Sequence, residues 1–238
     1  MIKLISKSKD QLDTSEKKQL ELIIRRYYKG ARQEFIDYRL NTGPEFDIIL
    51  QKKEDEVLAA SYYHCSTGSS PFHRNIHLFH FGIAVKKEGH KGNVIWQNGR
   101  FYARKKLGPW WMLKKGIGIS AICNPRVLEN FTRLFKFNYP YSVKHQPEKV
   151  VEFLDEYFKQ RNIQIRLDQH FCFQDDAISK TDITVEYDRF YRSKNENINQ
   201  LFFELGILSR EENKIYLTGK HMVVCGYRNP FDWRKKLR

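Results

Sequence analysis

Apolar residues near the start of the chain recur at helical spacing. Asp13 and Glu16 are spaced as in a capping box, and large apolar side chains follow every three or four residues as far as Phe35. The pattern predicts an amphipathic helix that ends near Arg39. A short strand is predicted before it, over residues 2–5.

Period-two patterns follow the helix and predict three strands. The first two, over residues 46–51 and 57–65, flank the charged turn 52–56, so we expect an antiparallel hairpin. The third strand is predicted over residues 76–85. It contains Gly82, and a glycine inside a strand indicates a bulge or a close backbone approach.

Helices and strands alternate in the middle of the chain. A helix is predicted over residues 94–107 and a short strand over residues 118–123. Asn124 and Pro125 then form an N-cap followed by a proline at the first helical position, which predicts another helix start.

Weaker patterns predict the elements beyond residue 141. We predict a helix over residues 146–161 and a shorter one over residues 199–205. Strands are predicted over residues 163–173, 183–187, 215–217 and 221–227. The chain shows no internal repeat, low-complexity segment or long linker, so we expect a single domain.

Charge is the compositional feature that changes this picture. The chain has 238 residues, of which 41% are hydrophobic and 14% aromatic, so a disordered protein is excluded. The net charge of +14 attracts anions. Nucleic acid, anionic lipid, an acidic carrier protein and a phosphorylated cofactor are candidate partners, and a solvated basic surface is the alternative.

The sequence carries no metal or export signal. The cysteines are Cys65, Cys123, Cys172 and Cys225, and none forms a C-x-x-C pair. The histidines between residues 64 and 80 lack the spacing of a helical metal motif, so we expect no metal. No apolar run has the length of a signal peptide or the ~20 residues of a membrane span, so we expect a cytoplasmic protein.

The most informative segment is the loop before the helix at residues 94–107. Its sequence is Gly89-His90-Lys91-Gly92-Asn93, and we call it the glycine loop. Such a loop brings backbone amides together where a helix begins, and the helix dipole adds about half a positive charge there. His90 and Lys91 could add side-chain charge, so the pattern predicts a pyrophosphate site.

Strand, glycine loop, helix, strand and Asn-capped helix over residues 76–137 together resemble the GCN5-related N-acyltransferase (GNAT) family. That family has an R/Q-x-x-G-x-G/A loop after its fourth strand, and the corresponding hexad here runs from Gly89 to Val94. Gly92 matches the central glycine, whereas Gly89 and Val94 replace the first and last motif residues. The resemblance implies an α/β (α+β) fold with a mixed, mostly antiparallel central sheet flanked by helices.

The resemblance further implies one domain over residues 1–238. Residues 1–140 would form the recognisable core, and residues 141–238 would be an extended C-terminal part with an insertion. The implied reaction is acyl transfer from acetyl-CoA or another acyl-CoA to an amine, which attacks the thioester directly.

Coenzyme-binding positions follow from the same resemblance. Backbone groups of Ile83, Ala84 and Val85 would bind the pantetheine arm as an added strand would. The amides of His90 to Val94 would hold the pyrophosphate, and Asn124 would line the thiol end. Asn124 is equally explained as a helix cap, and Lys91 as a solvated lysine.

Candidate proton carriers are tyrosines and histidines. Tyr139 and Tyr141 lie where the family often has its general acid, with packing in an aromatic turn as the alternative. His77 and His80 are base candidates because of their near-neutral pKa, and a structural role is the alternative.

The apolar cluster Trp110–Leu113 is expected to be core. A pocket lining and contact with an anionic membrane surface are its alternatives.

Two other functions remain open. A basic nucleic-acid-binding module fits the charge and the aromatic content, although no helix-turn-helix, zinc-finger or RNP sequence is present. A GNAT-like protein that binds acyl-CoA without catalysis is the second. Within acyl transfer, the basic surface disfavours cationic acceptors and suits an anionic acceptor or a donor on an acidic carrier protein.

Overall fold

A computed structural model describes residues 1–28, 31–43, 45–70, 74–135, 137–139, 148–163 and 165–228. The strands are β1 Lys3–Lys7, β2 Asp47–Lys53, β3 Glu56–Gly68, β4 Ile76–Lys86, β5 Gly116–Ile122, β6 Phe137–Tyr139, β7 Cys172–Gln174, β8 Thr181–Asp182, β9 Leu208–Glu211, β10 Lys214–Leu217 and β11 Lys220–Arg228. The helices are α1 Thr14–Tyr27, α2 Gln33–Asp37, α3 Val94–Leu107, α4 Pro125–Leu134, α5 Glu148–Lys159, α6 Thr184–Glu186 and α7 Glu196–Glu204.

The main sheet has the strand order β1-β2-β3-β4-β5-β11-β6, and β7 also pairs with β11. Among the described strands, β4 and β5 pair in parallel, and the other neighbours in this sheet pair antiparallel. The predicted mixed, mostly antiparallel sheet flanked by helices is therefore confirmed. A second sheet, β8-β10-β9, is formed within the segment between β6 and β11.

Helix α1 begins as the capping-box pattern predicts. Asp13 accepts a hydrogen bond from the Glu16 amide at 2.8 Å, and the Glu16 carboxylate accepts one from the Asp13 amide at 3.2 Å. Glu16 is completely buried and also pairs with Lys7 and Lys52. Burial acts to raise the pKa of Glu16, but the bonds from Lys52 and Lys7 leave it below its ordinary value. The carboxylate thus joins α1 to β1 and β2.

The predicted helix to Arg39 is wrong in its second half. α1 ends at Tyr27, and α2 starts separately after Arg32. Between them Ala31 bridges to Ile178, and the Arg32 amide donates to Ala177 at 3.0 Å. The backbone of Ala31 and Arg32 therefore bonds to residues 177 and 178 instead of continuing the helix.

The predicted hairpin and bulge are confirmed. β2 and β3 pair antiparallel around Glu54, whose φ of 56° is the left-handed conformation of a tight turn. In the pairing of β3 with β4, the register shifts opposite Gly82. A side chain at Gly82 would approach Tyr62 Cβ to 2.9 Å, so the bulge brings these two backbones too close for a larger residue.

Helices cover both faces of the main sheet. α1 and α2 pack with Ile48, Leu50 and Val85, and α5 packs beside them on Ile76 and Ile117. The opposite face carries α3, through Tyr102 on Tyr63, and α4. We call the side with α1, α2 and α5 the α5 face.

Two predicted strands of the C-terminal part are wrong. Among the described residues 163 and 165–173, strand pairing is limited to the start of β7, Cys172 and Phe173. Residues 183–187 are not a strand either, because α6 and a π turn over Tyr187–Tyr191 occupy this segment. Asp182 accepts from the amide and hydroxyl of Thr184, and this local bonding favours a turn over a ladder.

The Trp110–Leu113 cluster is not core, contrary to expectation. Trp110 is 71% exposed, Met112 56% and Leu113 53%. The segment forms a surface turn between α3 and β5, where the Arg228 guanidinium lies 5.1 Å from the Trp111 ring centre. Arg228 makes a cation–π contact with the ring and leaves the neighbouring apolar side chains in solvent.

Candidate functional site

Strands β4 and β5 separate before either of them ends. Their parallel pairing runs from His77 with Gly116 to Phe81 with Ser120. At that last pair the Ser120 hydroxyl donates to the Phe81 carbonyl at 2.8 Å. Beyond it, β4 continues to Lys86 with β3 as its partner, so a gap opens between the two strands. We call this gap, between residues 82–86 and 121–124, the strand opening.

Ile83, Ala84 and Val85 lie along the strand opening, as expected of a coenzyme-binding edge. Ala84 pairs with Ser61 and Val85 with Ala60 on the β3 side. On the other side, the described residues offer this stretch no strand partner. Half of its backbone groups are therefore open to an extended ligand.

The glycine loop lies at the end of this edge and leads into α3. Gly89 and Gly92 have φ angles of 74° and 118°, so both positions use backbone that favours glycine. Asn93 caps the helix by accepting from the Trp96 amide at 3.0 Å. The amides of residues 91–95 have no acceptor within the described chain. These amides and the positive end of a 14-residue helix are the groups that bind anions at helix starts in other proteins.

His90 is placed differently from the prediction. Its amide donates to the Lys87 carbonyl at 3.2 Å, so it is not available to a pyrophosphate. Its ring bonds the Gln51 side chain at 2.7 Å. Burial, with a smaller contribution from Lys86, lowers the pKa of His90. His90 therefore holds the loop in place rather than supplying charge, whereas Lys91 has an exposed side chain.

A buried polar network ties the loop and α3 to the sheet. Gln51 donates to the Asn98 side chain at 2.7 Å, and Asn98 donates to the Ile49 carbonyl and to Ser61. Both Gln51 and Asn98 are buried. Because His90 bonds the same Gln51, the loop, α3 and two strands share one set of hydrogen bonds.

Asn124 is engaged at both ends of its side chain. It caps α4 by accepting from the Arg126 amide at 2.9 Å, and it donates to the Phe190 carbonyl at 3.2 Å. Arg126 donates to the Arg189 carbonyl at 2.7 Å. The predicted N-cap is confirmed, and the segment around residue 190 lies across the start of α4.

A tyrosine and cysteine cluster at the end of β5 could not be found from the sequence. Tyr28 and Tyr191 lie close enough to Cys123 for their charges to interact. Burial raises the pKa of both tyrosines and raises that of Cys123 to about 12. The three residues come from distant parts of the chain, and no spacing signals their approach.

The backbone of Tyr139, one of the two tyrosines predicted as acids, lies away from the strand opening. Tyr139 pairs with Cys225 on β6, which lies beyond β11, so its backbone is two strand spacings, about 10 Å, from β5. Tyr141 lies outside the described residues. Neither role is tested by this placement, and both stay predictions.

The two candidate histidines have different surroundings. His77 lies at the far end of β4, and burial and Lys114 lower its pKa. His80 is 7% exposed and packs against Phe46, Tyr157 and Phe158, with ring centres 5.0, 5.9 and 5.8 Å away. Burial, then Arg39 and two further cations, lower the pKa of His80 to about 3.

His80 also lines a cavity on the α5 face. The cavity has a volume of about 420 Å³. Its lining residues are Tyr38, Gly43, Glu45, Phe46, His64, His80, Arg161, Asn162 and Ile163. It lies beside the bulge, because a side chain at Gly82 would come within 3.4 Å of Phe46. The cavity and the strand opening are therefore neighbours, and sequence analysis did not foresee the cavity.

Two other kinds of feature are absent from the residues described. No group of three or more histidine, cysteine, aspartate or glutamate side chains is placed to hold a metal ion there. None of the described helices combines the length and apolar character that crossing a membrane requires.

Comparison with known proteins gives matches to solved structures alone. No protein-family model and no curated protein sequence matches the chain. ElaA of Escherichia coli is 16% identical, with 62% of this chain and 93% of that chain covered at a TM-score of 0.37. An acyl-CoA N-acyltransferase from Pseudomonas aeruginosa is 10% identical, with 56% and 86% covered at 0.37.

A third match is a structure from Corynebacterium glutamicum described as histone acetyltransferase HPA2 and related acetyltransferase. It is 6% identical, with 62% of this chain and 90% of that chain covered at a TM-score of 0.39. At TM-scores this low, the likeness carries nothing further about this chain.

Proposed function

We propose that the chain binds an acyl-CoA at the strand opening and transfers the acyl group to an amine. One observation carries the proposal: the unpaired backbone edge of Ile83–Val85 leads directly to the free amides of residues 91–95. A coenzyme A thioester has two matching parts in the same order, an extended amide-containing arm and a diphosphate.

The binding mode follows from these two parts. The arm adds to β4 as a strand would, through backbone hydrogen bonds. The diphosphate accepts from the amides before and within the first turn of α3, where Gly92 lets the backbone approach closely. The thioester then lies near Phe81 and Ser120, where the two strands part.

Transfer requires attack by the amine nitrogen on the thioester carbonyl. The C–N bond forms, the C–S bond breaks, the amine loses a proton and the thiolate gains one. Holding the two reactants together supplies most of the acceleration expected of such a site. The chain therefore needs a second binding place beside the strand opening, and the cavity on the α5 face offers one.

Candidate proton carriers for this reaction are His80 at the cavity and the residues at the end of β5. His80 is neutral at pH 7 because its pKa is lowered to about 3, so it accepts a proton only weakly. Tyr191 and Cys123 remain protonated at pH 7 because burial raises their pKa. Tyr191, at the end of β5, is our candidate donor to the leaving thiolate.

Two measurements on the full chain test the proposal. Free CoA at 100 times its dissociation constant should raise the free energy of unfolding by ~2.7 kcal/mol. With acetyl-CoA and a mixture of amines, free thiol should be released only when an amine is present. Absence of CoA binding would contradict the proposal, and CoA binding without thiol release would reduce it to a non-catalytic binding protein.

A further inference from the structure

Buried hydrogen-bonding groups surround the cavity on the α5 face. Within the described residues, those without a hydrogen-bond partner include Arg39 Nε, Tyr62 OH, His80 Nδ1, Tyr157 OH and Arg161 Nε. Leaving such a group unpaired in the interior is unfavourable, because it loses the hydrogen bonds that water would give it. Their concentration at one place indicates a binding site.

Three of these residues lie next to one another at the cavity. His80 and Arg161 line it directly. The Tyr157 ring lies 5.9 Å from that of His80, and the Arg161 guanidinium lies 3.7 Å from the centre of the Tyr157 ring. Tyr157 is 2% exposed, so its hydroxyl is shielded from bulk water.

The other two residues lie immediately behind the lining. The Tyr62 ring is 6.4 Å from that of Phe46, and Tyr62 is 3% exposed. The Arg39 guanidinium is 5.5 Å from the ring of Tyr38. Arg39 is also close enough to His80 to lower its pKa, so all five groups belong to one neighbourhood.

Both arginines have neutral hydrogen-bond or ring partners. The acidic residue in the cavity lining, Glu45, is exposed and interacts with Lys9. Arg161 donates to the Tyr157 carbonyl at 3.1 Å and to the Ser66 hydroxyl at 2.6 Å, which are neutral partners. Arg39 contacts the rings of Phe35 and Tyr38. Neither forms an ion pair with a carboxylate of the described chain. Half-buried guanidinium groups in this state favour an anion, and their planar donors suit a carboxylate.

From this geometry we propose that the cavity holds the carboxylate of an amino-acid-sized acceptor. Arg161 lines the cavity, and the unpaired donors of Arg39, Tyr62 and Tyr157 lie next to its lining. The volume of about 420 Å³ suits a small molecule. The proposal rests on the proposed function, because it names the class of amine that the acyl group reaches.

The position of the cavity suits this role. His80 pairs with Ile119, one residue before the strands part at Phe81. An amino acid anchored by its carboxylate would place its amine beside the strand opening. The same guanidinium groups disfavour a second positive charge, so they lower the pKa of the bound ammonium and favour the neutral amine that attacks.

The test is equilibrium binding by ligand-observed NMR, in the presence of saturating CoA. The probes are the twenty common amino acids and their carboxamides, which lack the carboxylate but keep the amine. We expect at least one amino acid to bind at least about tenfold more tightly than its carboxamide. No amino acid binding, equal binding of the carboxamide, or binding of inorganic phosphate instead would overturn the proposal.

Variants connect the preference to the arginines. Arg161→Gln and Arg39→Gln should each weaken binding of the amino acid at least about tenfold. Neither should change the affinity for the carboxamide. Arg161→Lys keeps the charge without the planar donors and should retain part of the preference. Arg166→Gln, at an exposed position outside the cavity, is the matched control and should bind as the wild type does. An unchanged preference in Arg161→Gln contradicts the proposal.

The two proposals fail differently. CoA affinity is measured on every variant in the same buffer. Loss of CoA binding in the wild type contradicts acyl-CoA recognition itself. CoA binding with no preference for a carboxylate contradicts only the assignment of the acceptor.

Discussion

His80 and His221 are buried imidazoles that the fold keeps neutral. Burial is the main cause in both, and it lowers the pKa to about 3 for His80 and to about 4 for His221. Around His80, Arg39, His64 and Arg161 act in the same direction. Around His221, Asp175 and the Gly219 carbonyl oppose it. Both side chains therefore gain a proton more easily in the unfolded chain.

This difference predicts loss of stability in mild acid. Between the unfolded pKa near 6.5 and the lower folded pKa, the unfolded state binds more protons, so stability falls as the pH drops. From pH 7 to pH 5 each histidine should cost about 2 kcal/mol in the free energy of unfolding. Urea titrations at pH 7 and pH 5 measure this difference in the free energy of unfolding.

The variant His80→Gln should lose the share of His80, about 2 kcal/mol of that pH dependence. His64, His77 and His90, whose pKa values are also lowered, contribute in the same direction and keep theirs. Carboxylates with a lowered pKa, such as Glu16, lose their contribution mainly below pH 4.5, outside this window. An unfolding free energy that is equal at pH 7 and pH 5 would contradict the burial of neutral histidines.

At the scale of elements, the contact of α3 with the sheet depends on Asn98. Asn98→Ala removes one acceptor and one donor group and leaves Gln51 and Ser61 buried without that partner. We expect it to lower the free energy of unfolding by about 2–3 kcal/mol, measured by urea titration. Lys105→Ala, at an exposed position of the same helix, is the control and should change it by less than about 0.5 kcal/mol.

Equal losses in Asn98→Ala and Lys105→Ala would show that the network does not support the helix. We also expect Asn98→Ala to lower the affinity for CoA, because His90 of the glycine loop bonds the same Gln51 side chain.

Local signals explain which elements the sequence could predict. The starts of α1, α3 and α4 follow from Asp13, the glycine loop and Asn124, because capping uses residues adjacent in the chain. The end of α1 could not be predicted from the sequence. The Arg32 amide that follows the helix donates to the carbonyl of Ala177, which lies far along the chain. The cavity was missed for the same reason: His80 and Arg161 meet only after α5 packs on the sheet.

At the scale of the molecule, the two sheets share one core. Ile122 and Met222 of the main sheet pack with Phe202, Leu208 and Leu217 from the segment between β6 and β11. Ile178 of the same segment is buried with α1 and α2. Residues from both halves of the chain therefore lose apolar contacts together when either half unfolds.

This shared core predicts a single cooperative unfolding transition. Tryptophan fluorescence reports mainly on α3 and the turn after it, whereas circular dichroism at 222 nm reports on all helices. The two signals should follow one urea curve with a common midpoint. Two separate midpoints would show that the segment between β6 and β11 unfolds on its own.

The glycine loop carries the central claim, and calorimetric titration with CoA tests it most directly. Gly92 has a φ of 118°, and a side chain there would approach Gln97 to 3.3 Å, so Gly92→Ala must shift the loop. Gly108→Ala strains the opposite end of α3, where φ is 79° and a side chain meets nothing within 4 Å. We predict that Gly92→Ala lowers the affinity for CoA at least about tenfold and that Gly108→Ala binds CoA as the wild type does. Equal CoA affinity in all three proteins would contradict the claim that the amides around Gly92 hold the diphosphate.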